Sequence, residues 1–362
     1  MGSKLHRSGV RITLAAILVG LLACASGAFA SAAVRPLMTY ITGLPSSPYV
    51  WIALPDGSSA SRLGPASSAL ISPSGSEVAA VSTQDQTNTS TLSLYPTSAV
   101  SGSGALTIIP KRPQFMHLLA WSPDSRLILV TVGTSPAQLM VVDTTTEQSH
   151  AIATGVIYGA SFAPGSSNAV VYARAKLNKT AVNIFTTTAA GTNTRQLTRD
   201  GRSEDPLWST SGIVYSHQKV RAKNPYPELQ LWLMRADGSD ARQLTDVQVP
   251  KQLEGLIPLA CSANGQHVLA NLVGPPGSNS AEPYAVDLSG QKAAWHDPTG
   301  QGGGFIGDAI SADGKTILVT KGTANDLKAL TVETFPWSGG KPTTIVKQGG
   351  YPSWNAQHGT SG

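Results

Sequence analysis

From residue 37 to residue 355 one pattern of apolar and polar positions keeps returning. An apolar residue is followed by a small one, then a short polar turn, then a run of aliphatic and β-branched residues. The copies read ISPSGSEVAAVS (71–82), WSPDSRLILVTV (121–132), FAPGSSNAVVYA (162–173), WSTSGIVYS (208–216), CSANGQHVLANL (261–272) and ISADGKTILVT (310–320), and YPSWN (351–355) begins a seventh. Their leading residues are Ile71, Trp121, Phe162, Trp208, Cys261, Ile310 and Trp354, spaced 50, 41, 46, 53, 49 and 44 apart. A second pattern lies between the copies of the first. LWLMRADGSDARQLTD (231–246) aligns without gaps on IFTTTAAGTNTRQLT (184–198), with Gly191 on Gly238, and on VWIALPDGSSASRLG (50–64), with Gly57 on Gly238. LMVVDTTTEQSHAI (139–152) and PYAVDLSGQKAAW (283–295) are more diverged copies.

A repeat of about 47 residues holding four short strands has the size of a β-propeller blade. We name the strands A (ending at the leading apolar residue), B (the run after the turn), C (the LWLM run) and D (the RQLT run). Pro, or Asp or Asn before Gly, supplies the A–B turns. The pattern predicts an all-β, seven-bladed β-propeller. Six blades is the alternative, reached if the most diverged copies are miscounted. The last A strand has no B, C or D after it. The N-terminus supplies them as PLMTYITG (37–44), YVWIAL (49–54) and SRLG (61–64), so the two ends share one blade and remove the sheet edges. The carboxylates of Asp237-Gly238-Ser239-Asp240 suggest a calcium loop at first sight. The aligned copy AAGTN (189–193) has no carboxylate, so the motif reads as a C–D turn.

Composition agrees with many turns around a core. The 36 Gly and 24 Pro are scattered, while 41% of residues are hydrophobic and 13% charged. Residues 1–30 read as an export signal: Lys4, Arg7 and Arg11 precede the apolar run 12–23. LLAC (21–24) resembles a lipobox with Cys24 as the lipidated residue, and AFA (28–30) resembles a cleavage site before Ser31. An uncleaved anchor is the third option, since no charge appears from Ile12 to Val34. Residues 31–36 read as a linker, 37–356 as the propeller and 357–362 as a tail. The formal charge of +5 includes the three cations of the signal, so the remainder carries +2 and gives no support to nucleic-acid binding. With Cys24 in the signal, Cys261 stands alone. No disulfide, CxxC pair or zinc ligand set follows.

LWLMRADGSDARQLTD, WSPD (121–124) and YPSWN together resemble the WD-repeat-like propeller repeat of TolB-type proteins, over residues 37 to 355. The resemblance implies an exported, protein-binding module of the cell envelope. The α/β domain that precedes the propeller in TolB has no counterpart in this sequence, so a role in a Tol–Pal complex is not implied. Propellers of this kind also precede the hydrolase domain of prolyl-oligopeptidase-like enzymes. This sequence shows no such domain and no G-x-S-x-G elbow.

Alternation around the ring places A–B and C–D turns on one face, and B–C loops and D–A connections on the other. The second face carries the longer loops and is the expected binding face. Residues expected just before strand A, around the central channel, are His117, Tyr158, Glu204, Asp205, Glu254, Asp308 and Tyr351. Carboxylates near an axis suit a cation or polar ligand; the plain alternative is solvated loop residues. Two adjacent loops carry Arg174, Lys176 and Lys179, then Lys219, Arg221 and Lys223, a docking patch for an anionic partner or else ordinary surface charge. The histidines show no i, i+4 metal pattern. GQGGG (300–304) does not open a helix, so it is no phosphate cradle. Cys261 reads as core. NTS (88–90) and NKT (178–180) match the glycosylation pattern by coincidence beside a bacterial-type signal.

The sequence therefore predicts a monomeric binding or scaffold protein. It would lie in the periplasm or on the outer side of the cytoplasmic membrane, held by a lipid at Cys24, or be secreted. The expected partner is an envelope protein or an anionic envelope polymer, with no nucleic acid, cofactor, metal or catalytic residue. The alternative is a glycan lyase or hydrolase using the channel carboxylates and His117.

Overall fold

The turn after each A strand shows how the repeat folds. Ser122 Oγ donates to Asp124 Oδ1 (2.6 Å) and accepts from the Leu127 amide (2.7 Å), while the Arg126 amide donates back to Asp124 (3.2 Å). Ser262, Asn264 and His267 repeat the arrangement, as do Ser311, Asp313 and Thr316. In these three copies the small residue after the leading apolar one is a serine that clamps a tight turn, whereas after Phe162 it is Ala163.

The computed structural model describes residues 35–355, apart from 85–86, 88, 99–103, 113, 178–179, 220–227, 275–280, 289–292, 301–303 and 323–325. The expected export signal with Cys24 and the expected tail lie outside the described residues. No α-helix appears among the described residues. Backbone pairing joins the described strands into five sheets, three of four strands, one of seven and one of eight. Following the sequence repeat, we divide the seven-stranded sheet within Gln148–Ala163 and the eight-stranded sheet between Glu228–Met234 and Gly255–Cys261, and refer to the resulting groups as sets. Their A strands are Ser68–Ile71, Met116–Trp121, the second half of Gln148–Ala163, Ser203–Ser209, Gly255–Cys261, Phe305–Ile310 and Gly350–Trp354. We number the sets one to seven in that order. Each A strand touches the next, and the seventh touches the first. The molecule is a β-propeller.

Set seven joins the first and last described strands. Met38–Thr42 pairs with Gly350–Trp354, with Met38 opposite Trp354 and Ile41 opposite Gly350. Tyr49–Ala53 and Ser61–Pro65 complete the set. Thr39 Oγ1 and Ser353 Oγ share a buried hydrogen bond of 2.8 Å. The buried Asn355 accepts from the Leu37 amide (3.2 Å) and donates to the Arg35 carbonyl (2.8 Å). Sets two and three are joined without a loop. The sixteen-residue strand Gln148–Ala163 pairs with Ala137–Asp143 along its first half and with Ser166–Ala175 along its second.

The core lies between the sets. Leu92 and Leu94 of set one pack with Trp121, Ile128, Val130 and Val142 of set two. Each large aliphatic side chain buried this way contributes about 1.5–3 kcal/mol. Cys261 belongs to the equivalent layer between sets four and five, and burial pushes its thiol up to about 12. Polar stitches fix the angle between sets. The Trp208 amide donates to Ser161 Oγ (2.8 Å), and the Ile71 amide to Ser353 Oγ (3.1 Å). Asn271 grips both backbone groups of Gly307, at 2.9 and 2.8 Å. His150 Nε2 donates to the Ala189 carbonyl (2.9 Å) and His296 Nε2 to the Trp337 carbonyl (2.8 Å). Because a carbonyl only accepts, each of these rings carries its proton on Nε2.

The C–D turns also meet the neighbouring set. Gly57, Gly191 and Gly238 all have φ near +80°, as their turns require. A Cβ on Gly191 would stand 3.2 Å from the Ile152 Cα, and one on Gly238 3.2 Å from the Leu197 Cβ. Asp237 stabilises its turn by accepting from the Ser239 amide and hydroxyl, at 2.9 and 2.6 Å, and Asp56 does the same for Ser58.

Candidate functional site

Every A strand from set two to set six carries a register shift where it pairs with its B strand. The shifts fall at Leu118/Ala120, Ile157/Ala160, Glu204/Leu207, Pro258/Ala260 and Gly307/Ala309. A bulge releases one or two residues from the ladder and re-aims their side chains. Here the released residues include Leu119, Tyr158, Asp205, Leu259 and Asp308. Asp205 and Tyr351 take positive φ, at 48° and 53°, and Gly159 takes 75°.

These strands enclose a central cavity of about 280 Å³. Its wall is mainly apolar, with Leu118, Leu119, Pro206, Ile257 and Leu259 beside Asp205. Leu259 keeps 39% of its surface exposed, although it lies on an inner strand. The sequence places seven polar residues just ahead of the A strands, around the channel. Instead, His117, Tyr158, Glu204, Asp205, Asp308 and Tyr351 lie within these strands, and Glu254 lies one residue before its own. Of the seven, only Asp205 lines the cavity. His117 is exposed. The bulges are the physical reason: they change which side chain faces the axis, and they hand the wall to leucines.

Four of the seven nevertheless interact. Glu204 is buried at 7% exposure and accepts from Gln218 Nε2 at 2.9 Å. Burial raises its pKa, and Glu254 adds to the rise. Asp205 is pushed up to about 7, first by burial and then by Glu204 and Glu254. Burial also raises Glu254. Tyr158 is raised by burial and then by all three carboxylates. Gly159 permits the approach, since a Cβ there would stand 3.4 Å from Asp205 Oδ1. A second group spans sets six and seven. Thr320 Oγ1 donates to Asp308 Oδ2 (2.7 Å) and accepts from the Tyr351 amide (2.7 Å). Burial pushes Asp308 up to about 8, with the Thr320 bond acting in the opposite direction. Among the described residues, no three His, Cys, Asp or Glu side chains are grouped to hold a metal ion.

Of the six basic residues expected in a patch, Arg174, Lys176 and Lys219 are among the described residues. Arg174 lies 4.9 Å above the Phe185 ring, and with the exposed Lys176 it borders a hollow of about 420 Å³. Lys219 lies 4.0 Å from Glu228 and 3.9 Å from Asp246, which offset its charge. Lys179, Arg221 and Lys223 lie outside the described residues. The sequence reading missed the leucine wall. Its signal was HLLAW (117–121) and IPLAC (257–261), where apolar residues fill positions that are polar in FIGDAI (305–310).

No protein-family model matches the sequence, and no curated protein matches it. Solved structures do match by shape. TolB from Acinetobacter baumannii is 15% identical with a TM-score of 0.53, the match covering 78% of this chain and 67% of that one. The β-propeller domain of the trilobed protease from Pyrococcus furiosus is 13% identical with a TM-score of 0.58, covering 90% and 95%. An oligogalacturonate lyase in complex with manganese is 13% identical with a TM-score of 0.53, covering 86% and 85%. At these identities the likeness is one of fold, a TolB-like β-propeller.

Proposed function

We propose that this TolB-like propeller is an exported binding protein of the cell envelope that holds a partner and catalyses nothing. The observation that carries the reading is the convergence of Tyr158, Glu204, Asp205 and Glu254 from neighbouring inner strands beside the central cavity. A carboxyl that shares its proton near neutrality can donate or accept a hydrogen bond, which suits recognition of a polar partner group. The likeness to TolB supports the reading at the level of fold. Seven blades, an export signal over 1–30 and a lipid anchor at Cys24 complete it. The partner is an envelope protein or an anionic polymer, the latter approached through Arg174 and Lys176. Capture from envelope extracts on the full chain tests the reading. A specific partner should be retained by the wild type and lost with Glu204→Gln/Asp205→Asn. Equal capture by the variant would remove the acidic group from the site, and no capture at all would remove the binding role.

A second reading, a glycan lyase or hydrolase, is favoured by one observation: a carboxyl pushed to about 7 next to a tyrosine is a usable acid–base pair. Incubating the full chain with a polyuronide, with and without manganese, decides it. Formation of an unsaturated, ultraviolet-absorbing product that Asp205→Asn abolishes would replace the binding reading.

A further inference from the structure

A second opening shares only Trp354 and Asn355 with the lining of the central cavity. A groove of about 640 Å³ runs along the seam between sets six and seven, on the face that carries the A–B and C–D turns. Leu37, Pro55, Ile345 and Trp354 form its apolar wall, and Thr334 and Thr343 line it from set six. Asp313, in the A–B turn of set six, and Asp56, in the C–D turn of set seven, stand at its rim.

The C–D turn at this seam packs on its neighbour as elsewhere, Gly57 against the Ile345 carbonyl, but the side chains along the seam differ from those at two other seams. Between sets five and six, His267 stacks on Trp337 at 4.6 Å, and His296 bonds the Trp337 carbonyl. Between sets two and three, His150 bonds the Ala189 carbonyl. Between sets six and seven, threonines stand along the wall. Two of the leading tryptophans differ as well. Trp121 Nε1 donates to the Leu70 carbonyl at 2.9 Å, whereas Trp354 Nε1 is buried and meets no acceptor among the described residues. A buried donor without a partner costs about 1–3 kcal/mol and marks packing that is not optimised for stability.

The charges at the rim say what fits. Asp56 and Asp313 both have pKa values lowered by hydrogen bonds within their turns, led by the hydroxyls of Ser58 and Ser311, so both are ionised. Lys315 offsets Asp313 only weakly, at 3.9 Å with both side chains mostly exposed. An apolar trough with a negative rim complements a cation on an aliphatic stem. We propose that the seam between sets six and seven is a docking groove for an extended, lysine- or arginine-bearing segment of a partner protein. Its apolar side chains lie against Leu37, Pro55 and Ile345, and its cations pair with Asp56 and Asp313. This surface is separate from the acidic group near the central cavity.

The test uses the purified full chain and two fluorescein-labelled peptides, acetyl-Leu-Lys-Leu-Lys-amide and its Glu counterpart, read by fluorescence anisotropy. The Lys peptide should bind and the Glu peptide should not. Asp56→Asn/Asp313→Asn, which keeps both turn acceptors, should weaken binding about tenfold and flatten its salt dependence. Thr343→Phe, at an exposed strand position, should block the groove. Asp237→Asn, at the equivalent turn of set four, should leave binding unchanged. No binding of the Lys peptide, equal binding of both peptides, or indifference to the Asp56/Asp313 and Thr343 variants would each overturn the proposal.

Discussion

Gly238 stands against Leu197 across the boundary between sets three and four, so closely that a Cβ on the glycine would lie 3.2 Å from that of the leucine. The glycine also holds φ at 86°. Gly238→Ala therefore meets two penalties, a left-handed backbone and a crowded neighbour. We expect a loss of about 1–2 kcal/mol in denaturant unfolding. Asp237→Asn keeps an acceptor for Ser239 and should cost far less.

Two of the three leading tryptophans, Trp121 and Trp354, separate a made hydrogen bond from an unmade one. Trp121→Phe deletes the bond to the part-buried Leu70 carbonyl, and we expect a loss of about 0.5–1.5 kcal/mol beyond any change in packing. Trp354→Phe removes a donor that has no acceptor among the described residues. It should be close to neutral or stabilising by thermal unfolding.

Asn271 satisfies two buried backbone groups of Gly307 at once. Asn271→Leu strands both, so we expect a loss of about 2–4 kcal/mol, larger than that of a typical surface substitution. Equal stability of the variant would show that water takes over both bonds.

The inner carboxyls set the pH dependence. Asp205 and Asp308 are raised to about 7 and about 8, above the unfolded value near 3.8. The folded state then keeps protons that the unfolded chain has released. The contribution of these groups is fully present below about pH 4 and is lost as pH rises through about 7 to 8. The melting temperature, followed from about pH 5 to about pH 9, should fall on their account. Asp308→Asn should flatten the slope.

Removing residues 350–362 deletes the A strand of set seven and leaves Met38–Thr42 with an open edge. Size-exclusion chromatography should show this truncated chain associating or aggregating at concentrations where the full chain does not.

The repeat was legible because turns and apolar runs are set locally. Serine clamps such as Ser122 and Ser262, and glycine turns such as Gly238, recur at fixed offsets from the leading residue. The closing strand pair was legible because a final A strand without companions needs them from elsewhere. The inner wall was not legible. Which side chain of an A strand faces the axis depends on a bulge, and a bulge depends on contacts with the neighbouring set, as between Gly159 and Asp205. The same limit applies to the seam. Nothing in YPSWN shows that the Trp354 indole lacks the carbonyl that Trp121 finds, because that carbonyl belongs to another set.

Met38 lies opposite Trp354, so the first and last strands begin and end side by side. Tension applied between the two ends therefore enters at a single point of the strand pair. It would open the pair one hydrogen bond at a time, like a zipper, instead of loading all of them together in shear. A propeller tethered at its N-terminus and pulled from its C-terminus would yield first at this closure, with the other six sets still folded.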